Sequence, residues 1–139
     1  MLVYLDTCIA IYAVEGPPPL RQRAQAYIAS LESRGHSFVI SQLTRLECLV
    51  KPLGIGDGQM LLDFEAFFRS PNMRTIDLSA ASFQRAAAIR AAGLYASGKK
   101  ISLADSLHLA VALESGCSTL STNDGRLKHT DGITIELLP

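Results

Sequence analysis

Four carboxylates occupy positions in this 139-residue chain that local structure alone explains poorly. Asp6 closes the apolar run 1–5, and Glu47 interrupts the apolar stripe of a predicted helix. Asp105 opens a helix that is apolar on nearly every side, and Asp124 follows an apolar-to-polar run near the C-terminus. If the fold gathers the four, they repel one another strongly, and bound cations would make the cluster tolerable. The pattern indicates metal-dependent chemistry on an anionic substrate.

Asp6 can be interpreted in two ways of equal weight. It follows a predicted strand over Leu2 to Leu5, and in open α/β sheets ligands bind outside the carboxyl ends of strands. A carboxylate there would point into the usual crevice. Asp6 is equally suited to cap the helix predicted over Thr7 to Ala13, a common role for aspartate at this position.

Glu47 carries a stronger signal. On a helix that starts after Ser41, it shares one helical stripe with three apolar residues, Leu43, Leu46 and Val50. A glutamate within a core-facing stripe must be paired, bound to metal or placed at the margin of the stripe. Neutralisation by Arg45 at that margin is the structural alternative, and the pattern favours a functional role.

Asp105 and Asp124 each have an ordinary structural explanation. With Ser102 as N-cap, Asp105 completes a Ser-x-x-Asp pattern that resembles a capping box. The rest of that helix is apolar around most of its circumference, so little of its surface would face solvent. The carboxylate of Asp105 is therefore expected to face a cleft. Asp124 belongs to Thr122-Asn123-Asp124-Gly125, which is typical turn chemistry directly after a strand.

Histidines and basic residues near the acids carry weaker signals. His108, one turn beyond Asp105, could support the site or contact substrate, but a hydrogen-bonded core histidine is the favoured interpretation. His36 and His129 lie beside predicted turns and indicate nothing. Four cations near the acids could contact phosphate, although solvated loop charge is their default role: Lys99, Lys100, Arg126 and Lys128.

Composition bounds the class of protein. The length predicts one domain with a real core, and 48% hydrophobic with 19% charged residues is typical of a compact soluble chain. The formal net charge of zero argues mildly against nucleic acid as a partner, unless a metal supplies positive charge locally. Cys8, Cys48 and Cys117 fit neither a disulfide framework nor a zinc pattern, which favours reduced thiols in the cytosol.

Membrane insertion and secretion are not expected. No uninterrupted apolar stretch reaches the length of a membrane span. The N-terminus has no basic segment before its short apolar run, so a signal peptide is not expected either.

The predicted elements alternate between strands and helices, which indicates one α/β domain, residues 1–139, around a mostly parallel sheet. Strands are predicted over 2–5, 37–40, 74–77, 118–121 and 133–137. Helices are predicted over 7–13, 20–33, from Ser41 to about 50, and over 59–69, 79–95 and 102–115. The segment 52–58 is predicted to be a turn-rich connector.

The order of these signals resembles the PIN-domain family, and more closely the VapC-type toxin ribonucleases of bacterial and archaeal toxin–antitoxin pairs. The resemblance covers essentially the whole chain, and the set of motifs is more specific than any one of them. The matching segments are Val3-Tyr4-Leu5-Asp6-Thr7, Ser41-Gln42-Leu43-Thr44-Arg45-Leu46-Glu47, the run 101–110 from Ile101 to Ala110, and the run 120–127 from Leu120 to Leu127.

The resemblance implies a three-layer α/β/α domain whose sheet brings the four acids to one crevice. It implies Mg²⁺ or Mn²⁺ bound chiefly by Asp6 and Asp105, with Glu47 and Asp124 as direct or water-mediated ligands. Supporting roles would fall to hydroxyl and amide groups: Thr7, Thr122 and Asn123. The implied partners are an RNA substrate, a cognate antitoxin and a second copy of the chain, in the cytoplasm and without a membrane.

Hydrolysis of RNA by a metal-activated water is the activity we expect from this pattern, with no side-chain nucleophile. Oxygen-only ligands suit Mg²⁺ or Mn²⁺ better than zinc. A receiver-like or haloacid-dehalogenase-like phosphotransfer domain is the alternative, since both place an Asp after the first strand. The phosphatase pattern requires a second Asp where Cys8 stands, and Lys128 is a poor match for the receiver lysine. A non-catalytic scaffold of the same fold is a third possibility.

Overall fold

The computed structural model describes residues 1–127 and 132–139. Its strands are β1 (Leu2–Leu5), β2 (Ser37–Ser41), β3 (Met73–Ile76), β4 (Thr119–Thr122) and β5 (Thr134–Leu137). Its α-helices are α1 (Thr7–Glu15), α2 (Pro18–Ser33), α3 (Gln42–Ile55), α4 (Gly58–Phe68), α5 (Ala80–Ala91) and α6 (Leu103–Glu114). The predicted elements are all present within these ranges, with bounds that differ by a few residues.

The five strands form one parallel sheet in the order β3-β2-β1-β4-β5. From β1 the chain builds outward through β2 and β3, then returns to add β4 on the other side of β1. The carboxyl ends of β1 and β4 therefore flank the point where the strand order reverses, which is where open α/β sheets bind ligands.

Apolar clusters on both faces of the sheet make the domain three-layered. Alternate strand residues such as Val3 and Leu5 pack with α1, α2 and α4 on one face. Tyr4, Val39 and Leu120 point to the opposite face, where α6 packs and is in turn covered by α5. Alternation of side chains along each strand produces this division, and the predicted α/β/α architecture is confirmed.

The predicted connector at 52–58 is wrong in its first half, because α3 continues through Pro52 to Ile55. Proline inside a helix removes one backbone hydrogen bond and usually kinks or ends the helix. Here its ring is buried with Cys48 on the face of α3 that meets the core, so packing offsets that loss. Gly56, with φ of 70°, ends the helix in the left-handed conformation that glycine adopts readily.

The long helix predicted over 79–95 changes character at its C-terminal end. α5 ends at Ala91, and residues 92–96 form a π-helical turn. π-helical turns are rare and are frequent at functional sites.

Two sequence interpretations, those of Lys128 and His129, lie outside the described residues. Within residues 1–127 and 132–139, none of the helices combines the length and the apolarity that a bilayer crossing requires.

Candidate active site

Three of the four acids lie at the carboxyl edge of the sheet, either just after a strand or on a helix that follows a strand. Asp6 follows β1, Asp124 lies two residues after β4, and Glu47 lies on α3, which begins at the end of β2. Because β1 lies between β2 and β4, these three segments are neighbours in space although distant in sequence. Together they line one cleft of about 410 Å³, the acidic cleft, whose polar lining also includes Thr7, Cys8 and Asn123.

Asp6 is a buried carboxylate held from two sides. One oxygen, Oδ1, accepts the backbone N–H of Thr7 at 2.8 Å, so Asp6 also caps α1. The other, Oδ2, accepts the hydroxyl of Thr122 at 2.7 Å. Both interpretations of Asp6 are therefore compatible: it caps a helix and it faces the acidic cleft.

The Thr122 hydroxyl links two of the acids. While it donates to Asp6, its oxygen accepts the backbone N–H of Asp124 at 3.0 Å. The turn that carries Asp124 is thereby tied to the carboxylate after β1. The pair of bonds fixes the separation between two segments that are adjacent only in the folded sheet.

Glu47 is bound by a network from three elements. Its Oε1 accepts the Thr7 hydroxyl at 2.8 Å and lies 2.6 Å from Nε2 of His108 on α6. An ionised carboxylate only accepts, so Nε2 carries a hydrogen and donates it. The other ring nitrogen, Nδ1, lies 2.6 Å from the Tyr4 hydroxyl oxygen, and that oxygen lies 2.9 Å from Ser41 Oγ.

The network determines the charge state of Glu47. Burial by itself would raise the pKa of this carboxyl, but hydrogen bonds from His108 and Thr7 outweigh it and hold the pKa below its ordinary value. Burial raises the pKa of the Tyr4 hydroxyl, which therefore stays neutral. Glu47 is thus an anion held in place by neutral donors and an imidazole.

The core-facing stripe predicted around Glu47 is wrong in part. Leu46 and Val50 are 62% and 63% exposed, whereas Thr44, Cys48 and Pro52 are the buried residues of α3. The helix is rotated so that Glu47 lies at the margin of the buried face. A short, mixed stripe could not determine this rotation, because Thr44 is buried through polar contacts with Ser41 and Tyr4.

Asp124 is engaged by a guanidinium. Arg126 donates through Nε to Oδ1 at 3.0 Å and through a terminal nitrogen to Oδ2 at 2.9 Å. These hydrogen bonds hold the pKa of Asp124 below its ordinary value. Arg45, which the sequence suggested as a partner of Glu47, instead pairs with Glu65 on α4 at 2.9 Å.

Asp105 borders a neighbouring cavity, not the acidic cleft itself. That cavity, of about 320 Å³, is also lined by Arg90, Lys100, Ser102 and Arg126. Burial raises the pKa of the Asp105 carboxyl, and the negative charges of Asp6 and Asp124 raise it further. Asp105 is therefore close enough to Asp6 and Asp124 for their negative charges to affect its pKa. The Asp124–Arg126 ion pair lies between the two cavities, because Asp124 lines the acidic cleft and Arg126 lines the cavity beside Asp105.

The thiol of Cys8 also faces Asp6, at 3.8 Å from Oδ2, and accepts the backbone N–H of Asn123 at 3.3 Å. Burial and the Asp6 charge raise its pKa to about 11, so the thiol is protonated at neutral pH. It is therefore neither a thiolate ligand nor an activated nucleophile. All three cysteines are free thiols, Cys48 and Cys117 buried and Cys8 partly buried.

The donor set fits a hard divalent cation. Asp105 has no ion pair among the described residues, and the one ion-pair contact of Asp6 there is His108 Nε2 at 3.9 Å. Among the described residues, Asp6 and Asp105 thus lack a strong cationic partner, while Glu47 and Asp124 are already engaged. No three His, Cys, Asp or Glu side chains converge as a preformed group within 1–127 and 132–139. Carboxylate oxygens are the ligands that Mg²⁺ and Mn²⁺ prefer, and Mg²⁺ is usually held by one or two carboxylates while it keeps several waters.

The sequence pattern indicated no role for Tyr4, a helix-capping role for Ser41, which is confirmed, and a core role for His108. His108 has that role, since it is 1% exposed, and it also binds Glu47. One signal could have found Tyr4. A tyrosine in a strand buried on both faces must find a partner for its hydroxyl, and the polar groups at the next strand's end are the nearest candidates.

Comparison with known proteins gives a consistent family. A family profile described as PIN domain matches residues 3–133. None of the curated protein sequences matches the chain significantly.

Several solved structures share the fold. A chain of VapBC2 from Rickettsia felis, bound to a DNA fragment from their promoter, has a TM-score of 0.77 at 22% identity, with 100% of each chain covered. DNA-bound VapBC from Salmonella typhimurium has a TM-score of 0.75 at 22% identity, again over 100% of each chain. Mycobacterium tuberculosis VapC20, a toxin that cleaves the sarcin-ricin loop, has a TM-score of 0.70 at 15% identity, with 88% of this chain and 90% of that chain covered.

Proposed function

The chain belongs to the PIN-domain family, and on that basis we propose that it is a Mg²⁺- or Mn²⁺-dependent endoribonuclease, the toxin of a toxin–antitoxin pair. The observation that carries the proposal is that Asp6, Glu47 and Asp124 line one cleft, while Asp105 lines the adjoining cavity. Crowded carboxylates cost free energy unless cations bind among them, so a structure that gathers them supports a cation-dependent role.

In this proposal Asp6 and Asp105 hold the cation, and Glu47 and Asp124 act directly or through water. A bound divalent cation would lower the pKa of an attacking water and neutralise charge that develops on the phosphate. Thr122 and the Thr7 amide orient the Asp6 carboxylate through one bond to each oxygen. His108 and the Thr7 hydroxyl keep Glu47 ionised and aimed at the cleft.

The test uses a labelled RNA, with Mg²⁺, with Mn²⁺ and with EDTA. We expect cleavage with either metal, none with EDTA, and none from Asp6→Asn or Asp105→Asn. Asp63→Asn, which alters an exposed aspartate on α4, is the matched control and should cleave like the wild type. Cleavage retained in both Asp6→Asn and Asp105→Asn would refute the assignment.

The phosphotransfer alternative is less well supported. Receiver domains order their strands 2-1-3-4-5, whereas this sheet has the order β3-β2-β1-β4-β5. A dehalogenase-like nucleophile would need a second acid at Cys8, whose protonated thiol cannot replace it. A non-catalytic scaffold would bind RNA or antitoxin without metal-dependent cleavage, so the RNA assay separates it from the proposal.

An antitoxin partner is part of the proposal, and solved VapBC complexes with this fold support it. Four apolar side chains lie exposed on α3 and one on α4: Leu46, Val50, Leu53, Ile55 and Leu62, each 62–65% exposed. Such a patch on a small protein is typical of an interaction surface. The aromatic helix predicted at 59–69 is a weaker candidate for this role, because Phe64 and Phe68 point into the core.

The antitoxin surface can be tested by co-expression with the cognate antitoxin. Val50→Asp should weaken co-purification and restore growth inhibition, while Leu137→Asp on the edge strand β5 serves as an exposed apolar control. Homodimerisation and a cytoplasmic location belong to the same proposal. Sedimentation and fractionation of cells test the two directly.

A further inference from the structure

Two cavities that share Arg90 and Lys100 form one groove whose cationic and aromatic side chains have no role in the catalytic proposal. The first, of about 320 Å³, is lined by Arg90, Lys100 and Arg126 as well as Asp105. The second, of about 200 Å³, shares Arg90 and Lys100 and extends to Tyr95. We call this continuous surface the basic groove.

We infer that the basic groove binds the single-stranded RNA that enters the active site, with Arg90 and Lys100 on phosphates and Tyr95 stacked on a base. The inference rests on the proposed ribonuclease function and names the path of its substrate. A groove of this composition matches how single strands are bound without sequence preference, by cations along the backbone and aromatic platforms for bases.

The charge of the basic groove is local. The chain has a formal net charge of zero, yet three cationic side chains gather around one carboxylate. Within the described part of the chain none of the three forms an ion pair with Asp105. Arg90 donates to the Ile101 carbonyl at 3.2 Å, and the side chain of Lys100 is exposed. Arg126 is already paired with Asp124, so Arg90 and Lys100 are the groove cations that have no carboxylate partner among the described residues.

An aromatic ring stands exposed at the far end of the groove. Tyr95 is 86% exposed and its neighbour Leu94 is 46% exposed, both on the π-helical turn after α5. An exposed tyrosine contributes little to folding, whereas base–aromatic stacking contributes about 1–3 kcal/mol to binding. Tyr95 lines the second cavity and Asp105 the first, while Arg90 and Lys100 line both, so the two cations lie between the ring and the carboxylate.

The groove wall is a structured turn. The backbone N–H of Lys99 donates to the Gly93 carbonyl at 2.7 Å, and the Ser97 hydroxyl donates to the same carbonyl at 2.9 Å. A Cβ on Gly93 would lie 2.6 Å from the Lys99 carbonyl oxygen, so glycine permits this close return of the chain. The turn thereby presents Tyr95 and Lys100 on one surface.

The test measures binding of a fluorescein-labelled, unstructured RNA of roughly 16 nucleotides, the upper end of known single-strand site sizes. Binding is followed by anisotropy over a salt series in an Asp6→Asn background, which prevents cleavage during the measurement. Arg90→Gln and Lys100→Gln should each weaken binding and reduce the salt slope by about 0.7 per lost phosphate contact. Tyr95→Ala should weaken binding by roughly five-fold or more and leave the slope unchanged.

Matched controls come from the same chain. Arg34→Gln removes an exposed cation from the amino edge of the sheet, and Phe83→Ala removes a 55% exposed aromatic from the first turn of α5. Neither should change RNA affinity or salt slope. Equal losses in the controls and in the groove variants would overturn the inference.

The inference and the proposed function fail in different ways. If the wild type cleaves RNA with Mg²⁺ but the groove variants bind and cleave like the wild type, the inference is overturned and the ribonuclease remains. If Tyr95→Ala changes sedimentation without changing RNA affinity, the surface is a protein interface and the inference is overturned. If the wild type neither binds nor cleaves RNA, the proposed function and the inference both fall.

Discussion

His108 Nε2 on α6 lies 2.6 Å from Oε1 of Glu47 on α3, so a buried imidazole holds a carboxylate at the edge of the acidic cleft. The contact joins helices on opposite faces of the sheet across its carboxyl edge. The orientation of Glu47 therefore depends on His108, which does not itself line the acidic cleft.

Replacement of His108 by leucine should destabilise the protein by about 1–3 kcal/mol, because Glu47 and the buried Tyr4 hydroxyl each lose a hydrogen-bond partner. Urea unfolding measures the loss. In a Glu47→Gln background, His108→Leu should destabilise the protein by less, because the carboxylate that His108 contacts has already been replaced. Strict additivity of the two single substitutions would show that the 2.6 Å contact contributes nothing.

The same pair predicts a pH dependence. The pKa of Glu47 is lowered in the folded protein, so its contribution to stability is fully present above the unfolded-state pKa. It is lost as pH falls through the lower, folded-state pKa. Glu47→Gln should therefore lose less stability than the wild type between neutral and strongly acidic buffer, as followed by thermal melts. A larger acid loss in Glu47→Gln would contradict the sign of the shift.

Thr122→Val should cost about 1.5–3 kcal/mol, the usual contribution of a hydrogen bond to a charged group. Valine has nearly the same shape but neither donates to Asp6 nor accepts from the Asp124 amide. Thr134→Val, on the exposed edge strand β5, is the control and should change stability little. Urea unfolding provides the comparison, and equal midpoints for the two variants would argue against the link between the acids.

Asp105→Asn should raise the melting temperature in EDTA at neutral pH. Burial and the charges of Asp6 and Asp124 raise the pKa of Asp105, so the ionised form is unfavourable in the folded protein. That penalty grows as pH rises through the folded-state pKa and is absent in acid, where the gain should vanish. Asp63→Asn, exposed on α4, should show neither effect. A lower melting temperature at neutral pH would contradict the repulsion.

Gly93→Ala should destabilise the protein by about 1–3 kcal/mol, as overpacking does. The added methyl would lie 2.6 Å from the Lys99 carbonyl oxygen and displace the turn. Gly54→Ala is the matched control, because nothing lies within 4 Å of its Cβ position in α3. It should stabilise by about 0.5–1 kcal/mol. Unfolding midpoints that move in the same direction for both variants would contradict the close approach.

Arg126→Gln should tighten Mn²⁺ binding, as measured by titration of free Mn²⁺ in electron paramagnetic resonance. Both oxygens of Asp124 accept from Arg126, so a cation must compete with the guanidinium for them. The glutamine leaves the carboxylate free. Arg34→Gln serves as the charge-matched control, and equal Mn²⁺ affinities in the two variants would show that Asp124 does not take part in binding.

Local signals determined most of the elements. The apolar run before Asp6 forms β1, and Ser102 accepts the Asp105 amide at 3.1 Å and begins α6 as its spacing predicts. These features depend on residues within a few positions of one another. The alternation of strands and helices likewise determined the layered architecture, since parallel strands need helical crossovers.

Only the tertiary structure decided which of the four acids are paired with an imidazole or a guanidinium. Glu47 and Asp124 receive His108 and Arg126 as partners, while Asp6 and Asp105 keep carboxylates that lack a strong cationic partner among the described residues. The rotation of α3, its passage through Pro52 and the assembly of the basic groove depend on contacts between segments far apart in sequence. Local patterns contain no information on such contacts, because a side chain's burial and its electrostatic neighbours are set by which elements pack against it.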